Sequence, residues 1–207
     1  MLGLPKSTEM HKQLPKKAIY DKFHMDTAAK NKLDADVSQI TIVHEISPQT
    51  IHIPEGDKVK CIFVLFVSLK QENFDERNIA LLSKLIPQNI LLVLEYGGKD
   101  KLAVYYRKLM QTEWKVLDEQ EIELTGLDLD AVWQNIIASI GGINIEVGRT
   151  LDEQINIDEQ KKKLEKEIAK LDKIARVEKQ PKRKYALVQR MHLYQTQLKQ
   201  LFLESDP

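Results

Sequence analysis

Three residues in the middle of the chain have the types and spacing of a metal-dependent nuclease. Asp100 is followed thirteen residues later by Glu113-Trp114-Lys115. A carboxylate on one strand and E-x-K on the next can hold a divalent ion against a phosphate. However, E-x-K arises by chance in a chain that is 30% charged, and Glu165-Lys166-Glu167 illustrates that density. The residues before Glu113 are also polar, not those of a buried strand. The stretch therefore reads as a solvated strand edge with Trp114 covering the sheet.

Other reactive residues are sparse. The five histidines, His11, His24, His44, His52 and His192, are scattered. His44 and His52 can approach across an SPQ turn, but they read as ordinary strand residues. Cys61 sits in an apolar strand, where thiols are usually inert core. The chain has no G-x-x-x-x-G-K-[ST], no H-E-x-x-H and no C-x-x-C. The glycines of GGINIEVG do not lead from a buried strand into a helix. No catalytic residue, metal ligand or cofactor site is assigned, and the expectation is a non-enzymatic protein that works by binding.

The binding signal is the stretch EKQPKRK, Glu178 to Lys184, with four basic residues, one acid and one proline. Lys179, Lys182, Arg183 and Lys184 are the leading candidates, joined by Lys173, Arg176 and Arg190 on either side. In the N-terminal segment Lys12, Lys16 and Lys17 form a second candidate basic face. The net charge of the chain is zero, which hides a separation. Residues 161–199 carry thirteen basic and four acidic residues, a net of +9, whereas 36–160 carry eleven basic and twenty-one acidic, a net of −10. Residues 1–35 carry seven lysines and four acids, a net of +3. A basic arm can bind phosphate backbones by counterion release. It can equally bind an acidic protein, including the acidic body of a second copy. Tyr185 and Tyr194 interleave the basic residues as a nucleic-acid site would, but Tyr194 falls on an apolar seam. PKRK also resembles a nuclear-localisation motif, a short match that is common by chance.

The elements that must carry these residues follow from periodicity. Pro5 and Pro15 divide the first 35 residues; Ser7 suits the cap of a short helix and Pro15 the first turn of another, LPKKAIYDKF. SQITIVHEIS alternates like a strand, and TIHI reads as a short one after the SPQ turn. KCIFVLFVSL and NILLVLEY are continuous apolar runs, as in strands buried on both faces. Between them lies a helix opened by Asn73 with Glu76 in a capping box and stopped by Pro87. Gly97 and Gly98 mark a hairpin turn. KLAVYYRKLM is a third strand of the sheet, and WKVL and EIEL extend the meander. LDLDAVWQNIIASI is a helix ended by Gly141–Gly142.

The C-terminal part has the strongest pattern. Core-type positions fall at 157, 164, 168, 171 and 175, with Lys161 the polar intruder, and then at Leu187, Met191, Tyr194, Leu198 and Leu201. The second set is spaced 4, 3, 4, 3, a heptad seam. The jump of twelve residues from 175 to 187 breaks the phase, and Pro181 disfavours an unbroken helix. Folding back solves both problems, pairing 171 with 191, 168 with 194 and 164 with 198 about residue 181. This predicts helices over 152–178 and 182–204 with EKQP at the bend. Two such helices cannot bury much alone, so the seam, Ile155 with Ile174, or Phe202 with Leu203 is expected to pack on the body or a partner.

The fold class is therefore α+β: a mixed, mostly antiparallel sheet layered with helices, plus a C-terminal antiparallel helical hairpin resembling a coiled coil. Three parts are expected: a lysine-rich helical segment over 1–35, an α+β body over 36–150 and a basic hairpin over 151–207. One cysteine excludes an internal disulfide framework, and the N-terminus lacks the pattern of a signal peptide, which implies a cytoplasmic protein. No apolar run approaches the roughly 18 residues of a membrane span.

LPKSTEMHKQLPKKAIYDKF, ISPQTIHI, IFVLFVSLK with IALLSKLIPQNILLVLEY, and EKQPKRKYALVQRM together resemble the bacterial domain-of-unknown-function family 4391. The likeness covers almost the whole chain and brings no catalytic motif. Members resembling it are often encoded beside DNA methyltransferases and restriction-type or helicase-like ATPases. The resemblance thus implies an accessory role in restriction–modification or phage defence. Partners would be a helicase-like ATPase, a DNA methyltransferase subunit or a second copy, with DNA as the alternative.

Overall fold

The computed structural model describes residues 1–203. The chain divides into two compact units, Met1–Gly142 and Ile143–Pro207.

The first unit is a six-stranded mixed sheet whose spatial order follows the sequence: β1 (Glu9–Gln13), β2 (Val37–Ile46), β3 (Ile62–Leu69), β4 (Asn89–Tyr96), β5 (Lys99–Tyr106) and β6 (Lys108–Gln111). All neighbours are antiparallel except β3 and β4, which pair in parallel from Ile62↔Asn89 to Ser68↔Glu95. Parallel neighbours need a crossover, and α3 (Glu76–Leu82) supplies it. On one face Ile40, Leu65, Val67, Leu92, Leu94 and Ala103 pack with Ile19 of α1 (Lys16–Lys22), Leu33 of α2 (Thr27–Asp36) and Ile79 and Leu82 of α3. On the other, α4 (Leu129–Gly141) packs against β5 and β6 and buries Leu129, Val132, Ile136 and Ile137. Burial on both faces explains why β3 and β4 read as unbroken apolar runs.

Gly97 and Gly98 join β4 to β5 with φ of +61° and +79°, the paired positive values that a type I′ turn requires. Asp128 caps α4 by accepting from the Ala131 amide at 2.8 Å, and Gly142, at φ +60°, ends it. The carboxylate of Asp130 also accepts the amides of Asp57, Lys58 and Val59, the last at 2.7 Å, and so holds the 55–59 loop to the start of α4. A Cβ at Gly56 would stand 2.3 Å from Asp130 Cγ, so this approach needs glycine.

Several expected elements differ. Residues 6–8 form a 3₁₀ turn, and 9–13, part of the segment read as helical, form edge strand β1. Ser7 caps nothing there; its hydroxyl donates to the Thr50 carbonyl at 2.6 Å. TIHI is not a strand, because the Thr50 hydroxyl accepts from the Ser47 amide at 2.9 Å and closes a turn. The cap of α3 is Asp75, which accepts from the Arg77 amide, and not Asn73; the helix ends at Leu82, well before Pro87. KLAVYYRKLM is two strands folded at Arg107, which has φ +59°. WKVL contributes one bridge, Asp100↔Lys115, and EIEL forms no strand.

The second unit is a hairpin of α5 (Leu151–Val177) and α6 (Pro181–Leu203), packed on each other. Both helices start and stop within one residue of the positions expected, except at position 204, which lies outside the described residues. Pro181 opens α6 instead of lying in the bend, consistent with its fixed φ and missing amide. No helix among the described residues is long and apolar enough to cross a membrane.

Candidate functional site

The hairpin tip is built by capping. At the far end of α5, Thr150 and Glu153 form a reciprocal box, in which the Thr150 amide donates to the Glu153 carboxylate at 2.8 Å and the Glu153 amide to Thr150 Oγ1. The Thr150 amide, then the Thr150 hydroxyl, which donates to the same carboxylate at 2.9 Å, hold the Glu153 carboxyl below its ordinary value. Toward the tip the Glu178 amide bonds the Ile174 carbonyl, and the Glu178 carboxylate accepts the Gln180 amide at 2.8 Å. The Lys184 amide then reaches the Gln180 carbonyl, which begins α6. The reversal is thus fixed by three residues, 178–180.

The heptad positions face inward to different depths. Leu171 and Ala175 are buried. Leu164, Ile168, Leu187, Met191, Tyr194, Leu198 and Leu201 are half-buried. Ile155 is buried, whereas Ile174 and Phe202 are exposed, with the Lys161 ammonium 4.3 Å from the Phe202 ring centre. The Leu203 side chain lies outside the described residues.

The structure brings Lys173, Arg176, Lys179, Lys182, Arg183 and Lys184 to one end of the hairpin, all exposed. Arg176 pairs with Asp172 at 2.8 Å. Lys179, Lys182, Arg183 and Lys184 form no ion pair among the described residues. Arg190, further along α6, donates to the Tyr194 hydroxyl at 3.1 Å and lies over its ring. Val177 and Tyr185 stand among these cations, 76% and 67% exposed.

The N-terminal lysines do not form a comparable face. Lys12 is on β1, and Lys16 and Lys17 start α1. Lys17 and Lys12 are exposed, but Lys16 is engaged: its ammonium donates to Asp34 at 2.7 Å and to the Val37 carbonyl. The Lys16 bond, then that from Tyr20, hold the Asp34 carboxyl below its ordinary value. Burial, then Asp34, push Tyr20 up to about 12. Lys16 thus ties α1 to α2 and β2.

The nuclease-like residues sit at the end of the sheet. Asp100 is 3% exposed, and its Oδ1 has no hydrogen-bond partner. Burial, then the charge of Glu95 opposite it on β4, raise its pKa to about 6. Lys115 faces it across a backbone bridge, Glu113 is exposed, and Trp114 turns to the opposite core beneath Lys101. Among the described residues no group of three His, Cys, Asp or Glu is placed to hold a metal ion. His44 is buried on β2 and its pKa is lowered by burial; Thr8, whose hydroxyl donates to the Pro5 carbonyl, meets its Nδ1 at 2.8 Å. His52 is in an exposed loop, not a strand. Burial, then Glu45, push the Cys61 thiol up to about 11, leaving it protonated.

Sequence reasoning missed a cleft of about 390 Å³ in the first unit. Its floor is Leu102, Ile122, Ile136 and Ile140, and Glu119, Glu121 and Glu123 project along its rim. The signal was the alternation EQEIE, with exposed glutamates at 119, 121 and 123 separated by buried Gln120 and half-buried Ile122. The Gln120 amide anchors this segment to the Asp100 carbonyl at 2.9 Å.

Fold and site together define an α+β domain that carries a helical hairpin with a basic, partly apolar tip. The chain belongs to the family described as a domain of unknown function (DUF4391), whose model matches residues 2–198. No curated protein and no solved structure matches it.

Proposed function

We propose that this protein is a non-enzymatic docking subunit of a bacterial restriction–modification or anti-phage defence complex, with the hairpin tip as its principal contact surface. The observation that supports this most is the setting of Val177 and Tyr185, exposed among seven basic residues and one acid between 173 and 190. An exposed tyrosine with Arg176, Arg183 and Arg190 near it in sequence offers the residue types enriched in protein-interface hot spots. The seam already uses the inward faces of both helices, so these two side chains are left for another molecule. The defence setting rests on the family likeness, which points to a helicase-like ATPase or a DNA methyltransferase subunit as the partner.

The test is affinity capture of the intact protein from its host. The variant with Lys179→Glu, Lys182→Glu, Arg183→Glu and Lys184→Glu should lose the co-purifying neighbour-encoded proteins. Undiminished capture by that variant would sink the reading. The same cations favour a second one, in which the tip binds DNA. Each neutralised phosphate would then steepen the fall of log affinity with log salt by about 0.9 for duplex DNA. Binding to a DNA duplex that stays flat between low and moderate salt excludes it.

A further inference from the structure

We infer that the chain assembles head to tail, with the basic hairpin tip of one copy seated on the acidic cleft of the next. This rests on the reading of the tip as a docking surface and names its occupant. Charge argues for it first. Between 113 and 123 the body carries Glu113, Asp118, Glu119, Glu121 and Glu123 against Lys115, five acids and one base, a net of −4. Between 173 and 190 the hairpin carries seven bases against Glu178, a net of +6. All five of those acids are exposed, as are the tip cations. Other carboxylates of the body are engaged or enclosed: buried Asp36 accepts from the Asp75 amide and the Asn78 side chain, half-buried Asp130 accepts from three loop amides, and Asp100 is buried.

Shape and polarity agree. The cleft has an apolar floor and is about 390 Å³ in volume, room for one large side chain and not for a helix. The tip offers such a side chain in Tyr185, an amphipathic ring with its hydroxyl at the end. Exposed polar groups of the lining can meet that hydroxyl: Ser139, and the Oδ1 of Asn135, whose Nδ2 already donates to Thr125. Val116 and Leu127, 46% and 91% exposed, stand near the acidic segment as Val177 stands near the basic one. Tyr185 on the floor, lysines on the glutamate rim and valines meeting outside give a core and a polar rim of the kind interfaces have.

Because the two surfaces differ, the contact is heterologous: it builds a closed ring where the rotation between copies closes and a growing chain where it does not. It should give oligomers that grow with concentration and dissolve in salt.

Sedimentation of the full chain over roughly a hundredfold range of concentration, at low and high salt, tests this. The expected result is a mass that rises with concentration at low salt and falls to that of the monomer at high salt. Glu119→Lys with Glu121→Lys and Glu123→Lys should give a monomer. So should Lys182→Glu with Arg183→Glu and Lys184→Glu. Mixing the two monomeric variants should restore association, since each then meets an oppositely charged surface, and this recovery shows that both still fold. A wild-type monomer throughout, or a mixture that stays monomeric, overturns the inference. The docking reading fails separately, on capture from the host. A tip variant that loses its neighbours while wild type never self-associates leaves docking intact and removes this inference. A tip variant that keeps its neighbours but loses self-association does the reverse.

Discussion

The body and the hairpin solve opposite problems. In the body, polar groups turn inward and find partners: Asp36, Asp130, Lys16 and His44 each fasten one element to another. The hairpin fixes its ends through the Thr150–Glu153 box and the Glu178–Gln180 bend, and the charges of its tip are exposed. The body therefore uses these side chains to tie its elements to one another. The hairpin gives up burial for display, and most of its seam is only half-buried.

The largest test of this contrast is in the cores. Leu92→Ala, in a fully buried position of β4, should cost about 3 kcal/mol, within the usual 2–5 for such deletions. Leu198→Ala, on the half-buried seam, should cost about 1 kcal/mol. Denaturant titration compares them, and equal losses would break the contrast. Next comes the clasp. Asp130→Ala removes the acceptor of three loop amides, of which only that of Val59 is in a part-buried bond, and should cost about 1 kcal/mol, with Asp130→Asn recovering part of it. Limited proteolysis of 55–60 should quicken in the alanine variant only.

A third test is pH. The folded state keeps the Asp100 proton up to about pH 6, whereas the unfolded chain releases it near 3.8. Between those values the folded state binds more protons, so stability falls as pH rises through the window. Asp100→Asn should flatten that slope and stabilise the protein at neutral pH by about 1–3 kcal/mol, read as melting temperature against pH. An unchanged slope would mean that the burial of Asp100 is matched by something not seen in its bonding. The smallest effect is at the tip. Reversing Lys179, Lys182, Arg183 and Lys184 should leave stability within about 0.5 kcal/mol, since these side chains are solvated. A larger loss would mean that the tip charges are structural.

The same contrast decided how much could be read beforehand. The hairpin was legible because one local pattern, a heptad with a phase break at a proline, fixes both its helices and its bend. β2, β3, β4, the Gly97–Gly98 turn and α4 were legible from alternation, apolar runs, glycine pairs and caps. β1 was not, because EMHKQ is mostly exposed and polar, and it becomes a strand only by pairing with β2. The fold at Arg107 has no glycine to announce it. Thr50 turned an apolar run into a loop through one hydroxyl. The basic tip could be named residue by residue, since it is contiguous. Lys16 looked like part of a second basic face until its bonds to Asp34 and Val37 were seen. The cleft was hidden because Leu102, Ile122 and Ile136 come together only in three dimensions.

The sheet's spatial order, identical to its sequence order, has a bearing on how the body folds. No strand must slip between two that are already paired, so the sheet can grow outward by adding neighbours at its edges. Two joints span long stretches, residues 14–36 between β1 and β2 and residues 70–88 between β3 and β4, and only the second lies at the centre of the sheet; such non-local closure slows folding. The rate of reaching the native sheet should therefore respond most to substitutions in β3, α3 and β4. The short outer strands β1 and β6 should instead govern how quickly it comes apart.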